Sequence, residues 1–167
     1  MSGEPRYAIN ELQDMIAVLL RCPDKRLPRA HKRFIAEELR FEGGSYFSLK
    51  RAGGPLSLAR QKALPRHFRT LLHEIRMFVK MHPEMKYIVI LSHEDCKGYD
   101  ELVGKRKGKN PERKDCLKAA KLLQELFPDK QIGAYHARFD AEDPKKVYFE
   151  TVFETVPIRK VPTQQPA

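Results

Sequence analysis

No apolar run in this chain approaches the roughly 20 residues that a membrane helix needs, so no membrane span is expected. The first residues, Met1-Ser2-Gly3-Glu4-Pro5-Arg6, are polar, and no apolar stretch of the secretory type follows. A soluble, cytoplasmic protein is the expectation. Three cysteines are too few, and odd in number, for a disulfide scaffold; metal or free-thiol use suits them better. There is no internal repeat. The glycine-bearing loops lack the Lys-Ser/Thr ending of a nucleotide-binding P-loop. Ser92-His93 has no acid and oxyanion context around it, which argues against a serine hydrolase. Aromatic residues do not interleave with the basic clusters, as single-strand nucleic-acid binders require. The net charge of +10 therefore reads as a solvated basic surface that attracts small anions before it reads as a nucleic-acid surface.

What the chain does contain is enough for one globular domain. Of its 167 residues, 41% are hydrophobic and 32% charged, which places it among folded rather than disordered chains. Residues 1–156 are expected to form that domain, and the polar, proline-bearing stretch 157–167 to be disordered. Residues 1–14 read as a short arm or helical turn. Short apolar runs predict strands at 15–21, 45–49, 86–92, 132–139 and 146–156. Between them, helices are predicted from Pro28 to Arg40, from Pro65 to before Pro83, and over 112–127. On the second of these, Phe68, Leu71, Leu72, Ile75, Phe78 and Val79 share one face. On the third, Cys116 falls among Ala119, Ala120 and Leu123, so it is predicted to be a core residue and not a ligand. Gly104-Lys105-Arg106-Lys107-Gly108-Lys109-Asn110-Pro111 reads as a solvated basic loop.

Strands alternating with helices imply right-handed crossovers and a mostly parallel sheet. The expected fold is α/β, with about five strands in the order 2-1-3-4-5 and helices on both faces. Asp143-Pro144 signals a hairpin, so the last strand is expected to run antiparallel. In that order the first and third strands are neighbours at a topological switch point, and ligands sit at their carboxyl ends. Cys22 ends the first strand; His93 and Cys96 follow the third. The topology therefore brings two thiolates and an imidazole to one crevice. These donors suit zinc, and three protein ligands leave a fourth position open, as in catalytic sites. Asp24 and Arg26, next to Cys22, can form a bidentate pair. Lys50-Arg51-Ala52-Gly53-Gly54-Pro55 is a loop whose glycines allow a close backbone approach, or simply a turn. His67, His73 and His82 have no Cys or carboxylate partner at ligand spacing and read as solvated or capping residues.

Three of these stretches together resemble the β-class carbonic anhydrases. That family carries Cys-x-Asp-x-Arg after its first strand, here Cys22-Pro23-Asp24-Lys25-Arg26, and His-x-x-Cys after its third, here His93-Glu94-Asp95-Cys96. Its intervening Arg-Asn-Ala-Gly-Gly loop corresponds to Lys50-Arg51-Ala52-Gly53-Gly54, with Arg51 in place of the Asn. Lys97 stands where a glycine usually follows the second Cys. The resemblance spans most of residues 15–100. It implies Zn2+ on Cys22, His93 and Cys96, and catalytic roles for Asp24 and Arg26. It places Gly53 and Gly54 at the substrate. The implied reaction is reversible hydration of carbon dioxide to bicarbonate by a hydroxide on zinc, in a homodimer or higher homo-oligomer. Two other readings stand beside it: a hydrolase of carbonyl sulfide or carbon disulfide on the same scaffold, and a catalytically silent zinc-bearing protein whose basic surface binds an acidic partner.

Overall fold

A computed structural model describes residues 8–9, 13–104 and 110–158. Its elements run β1 (Ala17–Arg21), α1 (Pro28–Glu37), β2 (Tyr46–Lys50), α2 (Leu56–Ala59) and α3 (Pro65–Met81). They continue with β3 (Tyr87–His93), α4 (Lys97–Val103), α5 (Pro111–Leu126), β4 (Gln131–Phe139) and β5 (Val147–Glu154). The five strands form one sheet in the order β2-β1-β3-β4-β5. All pairs are parallel except β4 with β5, which is antiparallel. The expected architecture is therefore the observed one.

The two central strands are apolar at nearly every position because both of their faces are covered. Val18, Leu20, Ile88 and Ile90 pack on one side against Leu71, Leu72 and Ile75 of α3 and against Cys116, Ala119, Ala120 and Leu123 of α5. Ala17, Leu19, Val89 and Leu91 point the other way, into a cluster with Phe34 and Ile35 of α1 and with Phe149 of β5. There Phe34 stacks on Phe149 at 4.1 Å between ring centroids. The period of two along each strand thus feeds both layers.

Proline sits in the first turn of α1, α3 and α5, where its missing N–H costs nothing and its fixed φ suits a helix start. Two short helices escape the sequence pattern. With only four and seven residues, α2 and α4 show too few turns for an apolar period to emerge, and Gly98 lies inside the second. The link between β4 and β5 is also longer than a tight hairpin. Asp140 organises it by accepting from the backbone N–H of Glu142 and Asp143 at 2.8 and 3.2 Å. The expected arm over residues 1–14, the basic loop and the tail fall largely outside the described residues. No described helix is long and apolar enough to cross a membrane.

Two buried histidines are part of this core. His31 on α1 is 1% exposed and His136 on β4 fully buried. Burial, then the Arg21 and His93 charges, lower His31 to about 3, with Asp24 opposing. Neutral in the folded chain, such a histidine still takes up a proton near its ordinary pKa once unfolded. The unfolded state then binds more protons between about pH 6.5 and pH 3, so stability falls as pH falls through that window. His31→Leu is expected to flatten this slope, read from urea midpoints at pH 7, 5 and 4. An unchanged slope would mean that His31 is not buried neutral.

Candidate metal centre

Parallel pairing aligns Arg21 of β1 with Leu91 of β3, so both strands deliver their next residues to the same edge. Cys22 follows β1, His93 closes β3, and Cys96 is the residue before α4. One donor atom from each lies within 4.8 Å of the others, and all three residues are buried. The two sulfurs are 3.7 Å apart. A tetrahedral zinc with Zn–S bonds of about 2.3 Å would set them about 3.8 Å apart. His93 Nδ1 lies 2.8 Å from the Glu94 carbonyl; the carbonyl can only accept, so Nδ1 carries the proton. That fixes the tautomer and leaves the Nε2 lone pair facing the sulfurs. Nε2 is buried without a partner in hydrogen-bonding geometry, an orphan that a metal would satisfy. The donor set and its spacing fit zinc.

Backbone N–H groups complete the thiolate environment. The Gly53 amide near Cys22, and the Gly98 and Tyr99 amides near Cys96 in the first turn of α4, favour the thiolates, and the Tyr99 N–H donates to the Cys96 carbonyl at 3.0 Å. The contact of the two sulfurs drives their pKa values apart. The hydrogen bond from Cys96 is the main cause lowering Cys22, to about 4, with burial opposing and His93 adding to the fall. Cys96 is raised, because it shares its proton with the Cys22 thiolate and because it is buried. Burial disfavours charge on His93, but the Cys22 thiolate and the Glu94 carbonyl outweigh it and raise its pKa. A metal taking this site therefore displaces protons.

Asp24 and Arg26 form a forked ion pair. Arg26 Nε donates to Asp24 Oδ1 at 3.0 Å and Nη2 donates to Oδ2 at 2.7 Å. The guanidinium hydrogen bond is the main reason that Asp24 is lowered to about 2, against burial. Its Oδ2 lies 3.8 Å from His93 Nε2, at the mouth of the ligand set. Arg26 also reaches the neighbouring loop, donating to the Asp95 carboxylate at 3.2 Å and to its backbone carbonyl at 3.1 Å. Its guanidinium carbon sits 4.5 Å from the centre of the Phe139 ring, a cation–π contact. Asp95 has φ of 54°, a left-handed conformation that Asp tolerates better than most residues. It turns the chain between His93 and Cys96. A cleft of about 460 Å³ opens here, with Lys25, Ala52 and Lys97 beside Cys22, Asp24 and Cys96 on its walls.

The structure thus brings together Cys22, Asp24, Arg26, His93 and Cys96, with Gly53 and Gly54 directly behind them. Gly54 has φ of 55°, and a Cβ there would meet the Cys22 nitrogen at 3.5 Å. Gly53 turns out to serve Cys22 through its backbone. The tightest approach is Gly98, where a Cβ would lie 2.5 Å from the Gly53 nitrogen. Lys97 occupies the position after Cys96, and the glycine that this packing needs comes one residue later. Sequence reasoning missed Gly98, the Glu94 carbonyl, the Asp95 clamp and Phe139. The first three were within reach, since they lie between or beside the ligands; Phe139 comes from the end of β4 and carries no local signal. His67 and His73 are exposed and His82 pairs with Glu84 at 3.2 Å, so none joins the centre. Cys116 is fully buried in the core, where burial raises its thiol to about 12.

No protein-family model matches the chain, and no curated protein matches it in sequence. Solved structures do match. The β-carbonic anhydrase isoform I of Trichomonas vaginalis aligns with a TM-score of 0.55 over 91% of this chain and 90% of its own, at 13% identity. A carbonic anhydrase from Streptococcus mutans aligns at 0.48 and 16% identity, covering 85% of this chain and 87% of that one. One described with the tetrameric β-carbonic anhydrases of Sordaria macrospora aligns at 0.47 and 15%, covering 82% and 81%. The fold is β-carbonic-anhydrase-like, and at these identities the likeness is one of fold.

Purified protein is expected to hold about one zinc per chain. Cys22→Ser, His93→Ala and Cys96→Ser should each abolish tight binding, while Cys116→Ser leaves it intact, as metal analysis after dialysis will read. Loss of metal in Cys116→Ser with retention in Cys22→Ser would overturn the ligand assignment.

Proposed function

We propose that this protein is a zinc-dependent carbonic anhydrase that hydrates carbon dioxide reversibly to bicarbonate and a proton. The observation that carries the reading is the Asp24–Arg26 pair set 3.8 Å from an unpartnered ligand nitrogen. A carboxylate held ionised beside three ligands that leave a fourth position open is placed to orient a water there.

Cys22, Cys96 and His93 would hold the ion, and Zn2+ there supplies Lewis-acid activation of water near neutral pH. The remaining work belongs to the chain. Two thiolates balance the charge of the dication, so the surrounding hydrogen bonds matter for tuning it. The amides of Gly53, Gly98 and Tyr99 spread the thiolate charge. Asp24, kept as a carboxylate by Arg26, accepts a hydrogen bond from the attacking water and orients it toward carbon dioxide. Arg26 holds Asp24 away from the ligands through the fork and the Asp95 clamp. Gly53 and Gly54 do not line the cleft, and the role that this reading leaves them is to let their loop pack tightly behind Cys22. Arg26, Lys25 and Lys97 place positive charge around the cleft, which favours the bicarbonate product. A cytoplasmic location suits this chemistry, because a reducing compartment keeps Cys22 and Cys96 as thiols.

The reading also carries an isologous homodimer, or a larger homo-oligomer built from it, since the family this chain resembles forms its cleft at a subunit interface. Sedimentation at micromolar concentration should give a dimer. A strict monomer with full activity would rule out a shared cleft.

Stopped-flow carbon dioxide hydration on zinc-loaded protein tests the activity itself. Asp24→Ala should keep its zinc and lose about 10²-fold in kcat, the scale of a lost orienting contact. Arg26→Ala should lose a similar factor by releasing Asp24. Wild-type rates in zinc-replete Asp24→Ala would reduce the pair to a surface ion pair and remove the mechanism.

A further inference from the structure

A second cavity, of about 260 Å³, adjoins the metal cleft and shares Ala52 with it. None of the metal ligands lines it, and neither Asp24 nor Arg26 does. Its polar groups come from Arg51, Ser57, Arg66, His67 and Thr70. Ser57 is only 8% exposed, yet its hydroxyl has no hydrogen-bond partner among the described residues. Its oxygen is not among the fully buried polar atoms, so it is open to the cavity that Ser57 lines and free to hydrogen-bond a ligand atom there.

The charge around the cavity has one sign. No carboxylate lines it. Arg51 is partly balanced by its ion pair with Glu74, but Arg66 and His67 pair with no acid among the described residues. Both belong to the first turn of α3, which no side chain caps, so their backbone N–H groups have no intrahelical acceptor. Guanidinium, imidazole, two hydroxyls and open amides all donate, and together they ask for an acceptor with several oxygens. The cavity's apolar lining is Ala52 and Leu102. An inorganic ion would leave that lining uncovered.

We propose that this cavity binds a small organic oxyanion, a carboxylate or a phosphate monoester, with its head on Ser57, Arg66 and His67 and its body against Ala52 and Leu102. The site is separate from the one assigned to carbon dioxide and bicarbonate. It accounts for the Arg66 and His67 side chains at the start of α3, which the hydration reaction does not use.

The test is titration of the full-length, zinc-loaded chain with phenyl phosphate, benzoate, inorganic phosphate and neutral benzyl alcohol, followed by amide NMR shifts and calorimetry. Saturable binding of phenyl phosphate or benzoate is expected, with shifts centred on Ser57, Arg66 and His67. The tighter of the two names the head group. Benzyl alcohol should bind at least about tenfold more weakly, the scale of a lost charge-assisted contact. Ser57→Ala and Arg66→Ala should each weaken the oxyanion about tenfold, while Arg76→Ala, farther along α3, should not. Zinc content should be unchanged in all three variants, so failure here leaves the metal reading standing. Failure to bind zinc, with oxyanion binding intact, would sink the metal reading alone. Equal binding of benzyl alcohol, shifts centred on Cys22 and Cys96, or no saturable binding would overturn the proposal. Inorganic phosphate binding as tightly as phenyl phosphate would overturn the role given to Ala52 and Leu102.

Discussion

Everything at the metal centre depends on the parallel pairing of β1 and β3. The register that sets Arg21 opposite Leu91 makes the two strands end side by side, and the chain leaves both in the same direction. Cys22 lies 71 to 74 residues before its two partner ligands (93 − 22 and 96 − 22). The chain closes that distance through α1, β2, α2 and α3. The sheet can hold this register rigidly because both faces of these strands are packed, and a slip of one residue would exchange every core side chain between the two layers.

Around that junction, structure and electrostatics are the same set of contacts. The hydrogen bond from His93 to the Glu94 carbonyl decides which imidazole nitrogen is free. Arg26 ties the loop after β1 to the loop after β3, because it holds Asp24 on one side and Asp95 on the other while Phe139 supports its plane. The Asp24 carboxylate, proposed to orient water, is thereby fixed to the same frame as the candidate ligands. Glycines allow these loops to touch. Gly98 packs on the Gly53 backbone at a distance that admits no side chain, and so the first turn of α4 can point its amides at Cys96.

The departures from the family pattern acquire physical sense in this frame. Arg51, where an Asn was expected, is engaged by Glu74 of α3 and by the Lys50 carbonyl at 2.9 Å, so it braces the glycine loop against the helix layer. Lys97, where a glycine usually stands, and Lys25 line the cleft, which raises its positive charge without touching the donor atoms. The net charge of +10 is partly explained by such residues and partly by Arg66 at the start of α3.

The sequence by itself determined the strand runs, the alternation that makes them a doubly covered sheet, and the residue types that chemistry requires: two thiols, an imidazole and a carboxylate beside a guanidinium. Strand order also followed from it, since crossover handedness and the switch point leave few arrangements for alternating elements. Helices α2 and α4 were not legible, because four or seven residues carry no period and their stability comes from packing around Leu56, Leu64 and Tyr99. Only the tertiary structure decided the tautomer of His93, the unequal proton affinities of Cys22 and Cys96, and the contacts of Arg26 with Asp95 and Phe139. The tautomer depends on the local backbone turn at Glu94, and the other two on distances between segments far apart in the chain, which spacing along a sequence does not hold until the strands have paired.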